Sequence, residues 1–442
     1  MLKKLKNNKI EVLELAIIFI ITLILNITCT HITNDEIWNY GFSYNIATGL
    51  IPYKDFNMVI TPLFPMLGAI FMTIFGKNLI IYHIFNSIIC ISIFHYMKKQ
   101  NPQSYYITYS ILLLYSLPNY SLFCILLLYI LISLEEKKAN DYLIGIVLGL
   151  TFLTKQNIGI YLCIPTLFIK NINKIIKRFI GFIFPILILI LYLINNNCLY
   201  EFIDYAFLGI SSFAKQNIFV SPTCLLLTII ILIYLIFRYI KKREIKILYT
   251  ICIQGLAFPL IDPYHVILPF MVGLNYLLNN LNLNKKIIKY SFLIFITFIL
   301  SYNAYEYSTT KYNYPNTTKV YKYRKINTDN EESIKIVSEY LKNTADQVFI
   351  IDPYAYLIKL ESNKKINKYD LLNDGNMGKS GEIKITKEID KICQKENCTF
   401  ILNKYAINNE KSSQYSQYIY KHIINNYKER DKLFGLSIYK NY

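Results

Sequence analysis

Residues 10–30 read IEVLELAIIFIITLILNITCT, and this stretch decides the class of protein. Its only charged side chains, Glu11 and Glu14, lie among its first five residues. About 20 apolar residues are the length of helix that crosses the hydrocarbon core of a bilayer. The preceding MLKKLKNNK could open a signal peptide, but the apolar stretch is too long for one and no small-x-small cleavage site follows. We therefore expect an uncleaved membrane helix.

Further apolar runs recur as far as residue 304, at 79–97, 105–134, 142–169, 175–194, 222–237, 247–260, 266–278 and 287–300. Two of them are too long for one crossing and contain breaks, at Pro118-Asn119 and at Lys155-Gln156-Asn157, so each predicts a pair of short helices. The sequence thus predicts about eleven spans. The apolar segment 61–75 is short and carries two prolines near its start, so we expect a re-entrant or interfacial helix within one outer loop, residues 31–78.

Residues 305–442 differ from the rest, with 23 Lys and Arg and 17 Asp and Glu. Their patterns predict helices at 329–344, 386–396 and 412–427 and strands at 347–351, 399–403 and 434–439. The predicted fold class is therefore mostly α: a polytopic transmembrane helical bundle over residues 1–304, followed by a small α/β domain over residues 305–442.

The composition excludes a disordered chain and a small disulfide scaffold, since 54% of the residues are hydrophobic and 17% are charged. The formal net charge of +18 does not indicate a nucleic-acid partner. Of the 24 basic residues before residue 305, 20 cluster at alternate ends of the apolar runs. The positive-inside rule makes those ends cytoplasmic. We expect a multi-pass plasma-membrane protein with a cytoplasmic N-terminus and, after eleven spans, an extracytoplasmic C-terminal domain.

This orientation leaves ten charged residues of the membrane part on the outer side: Asp35, Glu36, Asp55, Glu201, Asp204, Asp262, Lys54, Lys77, Lys155 and Lys215. Charged groups at membrane depth are costly, about 2.5–3.5 kcal/mol on insertion scales, so they are candidates for function. Glu201 and Asp204 lie in a predicted interfacial helix, and we expect both to face water or headgroups.

Several motifs follow one another along the chain. After the first run come TNDEIW at 33–38, GLIPYKDF at 49–56, TPLFP at 61–65 and Phe-Gly at 75–76; GLTFLTKQN at 149–157 and FPLIDPYH at 258–265 come later. In this order the sequence resembles the GT-C superfamily of integral-membrane glycosyltransferases, such as protein O-mannosyltransferases and the aminoarabinose transferases of lipid A. The resemblance covers roughly residues 10–304. The arginine usual after the late proline is Leu260 here.

The resemblance implies a transferase that moves a sugar from a polyprenyl-phosphate carrier to an envelope glycan, lipid or protein acceptor at the outer face of a bacterial membrane. It implies that Asp35 is the general base, with Glu36 as its neighbour or as a metal ligand. No cofactor is certain, and a divalent metal, Mg²⁺ or Mn²⁺, stays open. Fixed cations stabilise a leaving phosphate. The candidate substrate-binding residues are Lys54, Asp55, Lys155, Gln156, Asp262 and His265.

Structural interpretations stand beside these roles. An acid after a first span is often a solvated loop or cap residue, as Asp35 could be. Lys155 could reach from the helix break to the membrane interface. Asp262 followed by proline is typical of a helix N-cap, and His265 could be a core histidine.

Two other classes of function remain open, a polysaccharide polymerase or ligase and a lipid-linked glycan transporter or flippase. A flippase should show internal repeats and polar residues in the middle of its spans, whereas here polar residues gather at the outer ends. A ligase should carry a large outer loop late in the membrane part, whereas the predicted late outer loop here, residues 261–263, is very short.

Two further patterns are weak. GNMGKS at 375–380 resembles the end of a P-loop, but Asn373 stands where the motif requires its first glycine. Seven of the nine cysteines are single residues outside any pattern, and we interpret them as small hydrophobic residues. Cys393 and Cys398 are five residues apart, so a disulfide is compatible with their spacing.

Overall fold

Long apolar helices dominate the computed structural model. It describes residues 2–29, 34–103, 105–115, 119–210, 220–258, 260–279, 281, 284–309, 313–314, 324–325, 331–344, 346–352, 355–364, 366–370, 377–379, 381–403, 417–433 and 436–442. Within these ranges, five helices are long and apolar enough to cross a membrane: Ile10–Thr28, Leu79–Gln100, Ile172–Asn195, Pro222–Lys242 and Lys285–Thr309. The chain is thus mostly helical with membrane-type helices, while the number of spans stays a prediction.

The helices before residue 310 are α1 (Leu2–Thr28), α2 (Asn34–Ala47), α3 (Leu63–Phe75), α4 (Leu79–Gln100), α5 (Tyr105–Leu114), α6 (Tyr120–Glu136), α7 (Asp141–Thr154), α8 (Gln156–Leu167), α9 (Ile172–Asn195), α10 (Leu199–Ile203), α11 (Pro222–Lys242), α12 (Ile245–Cys252), α13 (Pro263–Leu278) and α14 (Lys285–Thr309). A π-helical turn, Asp204–Leu208, follows α10, and a 3₁₀ turn, Ile253–Ala257, follows α12.

The later elements are β1 (Asn313–Tyr314), β2 (Arg324–Lys325), α15 (Glu331–Lys342), β3 (Gln347–Ile351), α16 (Ala355–Glu361), α17 (Gly381–Cys393), β4 (Cys398–Asn403), α18 (Gln417–Asn426), β5 (Lys428–Leu433) and β6 (Leu436–Lys440).

The chain divides into two compact units. The first unit comprises Met1–Thr30, Leu79–Leu189 and Phe219–Thr309, and the second comprises His31–Asn78, Ile190–Ile218 and Thr310–Tyr442. The predicted outer loop, residues 31–78, therefore groups with the C-terminal residues in one unit. The predicted boundary after residue 304, between a membrane module and a C-terminal domain, stays a prediction.

A buried ion-pair cluster holds four helices of the first unit together. The Arg178 guanidinium on α9 donates to both Glu135 oxygens on α6, at 2.6 and 3.0 Å, and to Asp141 Oδ1 on α7, at 2.8 Å. The Tyr249 hydroxyl on α12 donates to Glu135 at 2.9 Å. Arg178 is 4% exposed, so it is a packing residue as well as part of the basic cluster that predicts orientation. Bidentate geometry of this kind is specific to arginine.

In the second unit, α2 packs on α3 and meets the C-terminal part of the chain. The Phe42 ring makes an edge contact with the Tyr356 ring, at 5.9 Å between centroids. Gly41 lies so close to Tyr356 that a Cβ there would overlap the ring. Asn57 donates through its side-chain amide to the carbonyl of Lys368 at 2.7 Å. Residues more than 300 positions apart therefore form one packed interior.

The C-terminal region contains a four-stranded sheet in the order β3-β4-β6-β5. β3 pairs with β4 in parallel, and β6 pairs antiparallel with both β4 and β5. One face of the sheet packs on α17 and α18 through an apolar cluster that includes Phe349, Phe400, Ile389 and Tyr420. The small α/β fold predicted for this region is confirmed among the described residues.

Most predicted elements of this region match the structure, and four of its described elements were not predicted, the two-residue strands β1 and β2 as well as α16 and β5. The strand 347–351 is confirmed at both ends, and β4 begins one residue before its predicted start. The sequence did not predict α16 or β5. β5 has the sequence KERDKL and is almost entirely exposed, so a search for alternating apolar residues passes over it. Residues 412–416 and 434–435, where a predicted helix and strand begin, lie outside the described residues.

Two covalent or charged links stabilise the C-terminal fold. A disulfide joins Cys393 at the end of α17 to Cys398 at the start of β4, as their spacing allowed. Lys359 on α16 is buried and donates to Asp370 and to the carbonyl of Val348 in β3, both at 2.7 Å. Because Asp370 also accepts the backbone N–H of Asn367, at 2.9 Å, the segment 366–370 is fixed against the sheet.

Candidate functional site

The predicted catalytic pair lies in the first turn of α2. Asp35 is half-buried and Glu36 is 1% exposed. Carboxylates in a first turn are stabilised by the positive end of the helix dipole, so the position suits a structural acid as well as a catalytic one. Asn39, one turn later, donates to the backbone carbonyl of Asp35 at 2.6 Å. The half-buried Asp35 is therefore the member of the pair that is open to a substrate.

Lys54 projects from a tightly bonded loop, residues 51–56. The carboxylate of Asp55 accepts the backbone N–H of Ile51 at 2.7 Å, and the N–H of Tyr53 donates to the carbonyl of Phe56 at 2.8 Å. Lys54 is exposed, whereas its neighbours on both sides are buried or half-buried. The predicted substrate-binding role of Asp55 thus competes with a structural one, because one of its oxygens already closes the loop.

Tyr53 adopts a left-handed backbone conformation, with φ of 69°. Such a conformation is unfavourable for a residue with a Cβ and persists only when surrounding contacts hold it. Here the hydroxyl of Tyr53 donates to the carbonyl of Ile60 at 2.7 Å, and its ring makes an edge contact with Phe202, at 5.1 Å between centroids. The buried tyrosine therefore fixes the backbone that carries Lys54.

Charged groups surround the thiol of Cys198 near this loop. Burial raises the pKa of Cys198, the carboxylates of Glu201 and Asp55 raise it further, and the ammonium of Lys54 opposes them. The charges of Lys54, Asp55 and Glu201 therefore all act on this one thiol. The second unit thus brings Lys54, Asp55 and Glu201 near Cys198, which sequence spacing alone did not reveal because Glu201 lies 147 residues after Lys54.

Lys155 and Gln156 lie at the predicted helix break in the first unit. Lys155 has extended backbone angles (φ −150°, ψ 108°). It is the C-cap residue of α7 and the N-cap residue of α8. Its ammonium lies over the Tyr120 ring at 5.1 Å from the centroid, and Gln156 is 8% exposed. The break is confirmed, and Lys155 makes a cation–π contact that a residue reaching for the interface would not require.

Asp262 and His265 form a helix cap at the start of α13. The Asp262 side chain accepts the backbone N–H of His265 at 2.8 Å, and both carboxylate oxygens lie within 3.0 Å of His265 Nδ1. A carboxylate accepts hydrogen bonds, so Nδ1 donates and Nε2 is the ring nitrogen open to a ligand. The N-cap interpretation of Asp262-Pro263 is confirmed, and a substrate role for the pair rests on His265 Nε2.

The structure brings part of the predicted site into one unit. Asp35, Glu36, Lys54 and Asp55 belong to the second unit, while the remaining four candidates belong to the first: Lys155, Gln156, Asp262 and His265. Lys215, one of the predicted outer cations, lies outside the described residues.

The prediction that Asp204 faces water or headgroups is wrong. Asp204 is 6% exposed, and its Oδ1 accepts the backbone N–H of Lys379 at 2.9 Å. Gly378 has φ of 74° and lies against the same carboxylate, where a Cβ would overlap Oδ2. The P-loop-like residues 377–379 therefore pack against a buried carboxylate. Sequence gave no signal for this contact, because the partners lie 175 positions apart.

The described residues do not fit a metal centre. Among them, no three His, Cys, Asp or Glu side chains come together in a group that could hold a metal ion. No step is therefore derived through a metal.

Comparisons with known proteins give distant structural likenesses. No family model matches the sequence, and no curated protein matches it. The chain is similar to the oligosaccharyltransferase of Archaeoglobus fulgidus in complex with Zn and sulfate, with 10% identity and a TM-score of 0.44 over 97% of this chain and 73% of that one.

Two further structures of the Archaeoglobus fulgidus oligosaccharyltransferase give a TM-score of 0.43 at 10% identity. One holds an inhibitory peptide and dolichol-phosphate and covers 97% of this chain and 74% of that one. The other is tethered to an acceptor peptide and covers 97% and 73%. Because these likenesses are so distant, the function proposed below rests on this chain's own residues.

Proposed function

We propose that this chain is an integral-membrane glycosyltransferase of the GT-C type, which transfers a sugar from a polyprenyl-phosphate donor to an envelope acceptor. The observation that carries the proposal is the second unit. There an acidic pair in the first turn of α2 and a lysine on a tightly held loop belong to one packed body. The order of GT-C-like motifs along residues 33–265 supports the same conclusion.

In the proposed reaction Asp35 is the general base. Its carboxylate takes the proton of the acceptor hydroxyl as that oxygen bonds to the anomeric carbon, and the bond from this carbon to the phosphate oxygen breaks. The polyprenyl phosphate leaves with the electron pair, and its negative charge is stabilised by a fixed cation. We assign this role to Lys54, which is exposed on the hydrogen-bonded loop 51–56. Lys155 and His265 are proposed as further substrate-binding residues.

The experiment replaces Asp35 by asparagine in cells that lack the native gene, with mass spectrometry of envelope glycans as the measurement. We expect transfer to fall by about 10²–10⁴-fold, because general-base catalysis contributes that much, while the protein stays in the membrane. Asp431→Asn, an exposed acid on β5, makes the same change of charge and shape away from the site. If Asp35→Asn transfers at the wild-type rate, the assignment of the base is wrong.

We also propose that the C-terminal region faces the outside of a plasma membrane. The disulfide between Cys393 and Cys398 supports this orientation, since disulfides persist in oxidising compartments. Alkaline phosphatase fused after Tyr442 should be active, and the same enzyme fused at Lys138, on a predicted inner loop, should be silent. The reverse pattern would overturn the proposed orientation.

A further inference from the structure

A cavity of about 520 Å³ opens between two helices of the first unit. It lies between the middle of α1, the N-terminal half of α14, the turn residues Pro102 and Gln103, and the start of α5. Its walls are mainly branched apolar side chains and three rings, and include Ile10, Leu13, Ile17, Tyr106, Phe292 and Leu293. None of the residues of the proposed active site contributes to this cavity.

The length of the cavity matches one leaflet of a bilayer. On α1 its lining runs from Ile10 to Ile21, and on α14 from Lys285 to Ile296. Eleven helical steps extend roughly 16 Å, which is about half of the ~30 Å hydrocarbon core. α14 begins at Lys285, the first of its lining residues, so a chain lying along α14 from that end would run towards the centre of the membrane.

Two lysines mark the end of the cavity where α14 begins. Lys285 and Lys289 line it, are exposed, and make no ion pair within the part of the chain that the structure describes. The one carboxylate in the lining, Glu14, is already neutralised. It accepts hydrogen bonds from Lys98, from the Tyr105 hydroxyl at 2.9 Å and from the Tyr106 hydroxyl at 2.6 Å.

The aromatic residues also fix the wall of the cavity. The Tyr106 ring packs against the Phe292 ring with 4.6 Å between centroids, which joins α5 to α14. The same tyrosine donates to Glu14 on α1, so three helices are held around one cavity. The result is an apolar channel with two cations at its mouth and the internal acid occupied.

We propose that this cavity binds an anionic glycerophospholipid, with an acyl chain along α1 and α14 and the phosphate headgroup at Lys285 and Lys289. Basic pockets between membrane helices on the cytoplasmic side are suited to anionic headgroups, because that leaflet carries negative lipids. The positive-inside rule assigns this end of the helices to the cytoplasm. The site is independent of the proposed sugar transfer and goes beyond it.

The test titrates the full-length protein, purified in detergent, with phosphatidylglycerol or phosphatidylcholine, and counts bound lipids by native mass spectrometry. The wild type should retain phosphatidylglycerol in preference to phosphatidylcholine. The double variant K285Q/K289Q should bind phosphatidylglycerol about thirtyfold more weakly, because each lysine near the membrane surface contributes about a factor of five. The double variant K170Q/K174Q removes two exposed lysines that do not line the cavity and should keep the wild-type preference.

A second variant separates the acyl-chain contact from the headgroup contact. Leu293→Trp fills the cavity and leaves both lysines, so it should also lose the tightly bound lipid, with an unchanged elution volume as evidence of folding. Equal retention of the two lipids by the wild type would overturn the proposal. It would also be overturned by an equal loss in K170Q/K174Q, by full binding in Leu293→Trp, or by displacement of phosphatidylglycerol by a polyprenyl phosphate.

Discussion

Asp262 in the first unit and Asp204 in the second unit each accept a backbone N–H, but from very different distances along the chain. In the first unit, Asp262 accepts the backbone N–H of His265, three residues away on its own helix. In the second unit, Asp204 accepts the backbone N–H of Lys379, 175 residues away. The same interaction, a carboxylate accepting a backbone N–H, is therefore local for Asp262 and long-range for Asp204.

The two candidate lysines show the same difference. Lys155 is positioned by a break between two helices that follow each other directly, and it lies over Tyr120. Lys54 is positioned by a loop whose left-handed Tyr53 depends on Phe202, a residue from another part of the chain. Substitutions at long-range contacts of the second unit should therefore cost more stability than substitutions at local contacts of the first.

The largest effect is expected for Tyr356→Ala. This side chain is 2% exposed and fills the space beside Gly41 and Phe42, so its removal leaves a cavity between segments more than 300 residues apart. The free energy of unfolding should fall by about 3–5 kcal/mol. Denaturant unfolding in detergent measures it. Tyr418→Ala, on the exposed side of α18, is the control and should change stability by about 0.5 kcal/mol or less.

An intermediate effect is expected for Gly378→Ala. Alanine at this position would have a strained left-handed backbone, and its Cβ would overlap the Asp204 carboxylate. The free energy of unfolding should therefore fall by about 3 kcal/mol. Gly49→Ala is a matched control, since Gly49 is also left-handed but a Cβ there meets nothing within 4 Å in the described part of the chain. It should lose only about 1–2 kcal/mol. Equal losses for the two variants in thermal unfolding would mean that the contact with Asp204 has little weight.

The smallest effects are expected at Asp262. Asp262→Ala removes the N-cap of α13 and should cost about 1 kcal/mol, whereas Asp262→Asn keeps a cap acceptor and should stay within a few tenths. Comparing sugar transfer by the two variants separates the cap from a charge-dependent role. If Asp262→Asn has wild-type stability and wild-type transfer, the carboxylate serves as a cap alone, and a large loss of stability in Asp262→Asn would contradict the local interpretation.

Sequence patterns predicted the features that depend on neighbours along the chain. The break at Lys155, the cap at Asp262-Pro263, the strand at 347–351 and the helix ending at Phe75-Gly76 were all visible in segments of a few residues. Each depends on backbone hydrogen bonds or on apolar spacing within one turn or strand. The sequence also placed the acidic pair directly after the first apolar run, at what proves to be the start of a helix.

The features that sequence patterns missed depend on partners far away in the chain. Asp204 looked like an interfacial acid because its partner is the backbone of Lys379, and a backbone N–H carries no sequence signal. The polar strand β5 exists because β6 pairs with it, and Arg178 is buried because three other helices supply its acceptors and packing.

The amino-acid sequence by itself therefore determined that this chain has membrane-type helices and where many of them begin and end. It also determined which charged residues lie away from the basic clusters at the ends of those helices. Those properties follow from hydropathy and from hydrogen bonds between near neighbours. Only the tertiary structure decided which of the charged residues are exposed and which are fixed. Residues 31–78, 190–218 and 310–442 pack into one unit, and burial there leaves Lys54 accessible while it commits Asp204 to a backbone partner.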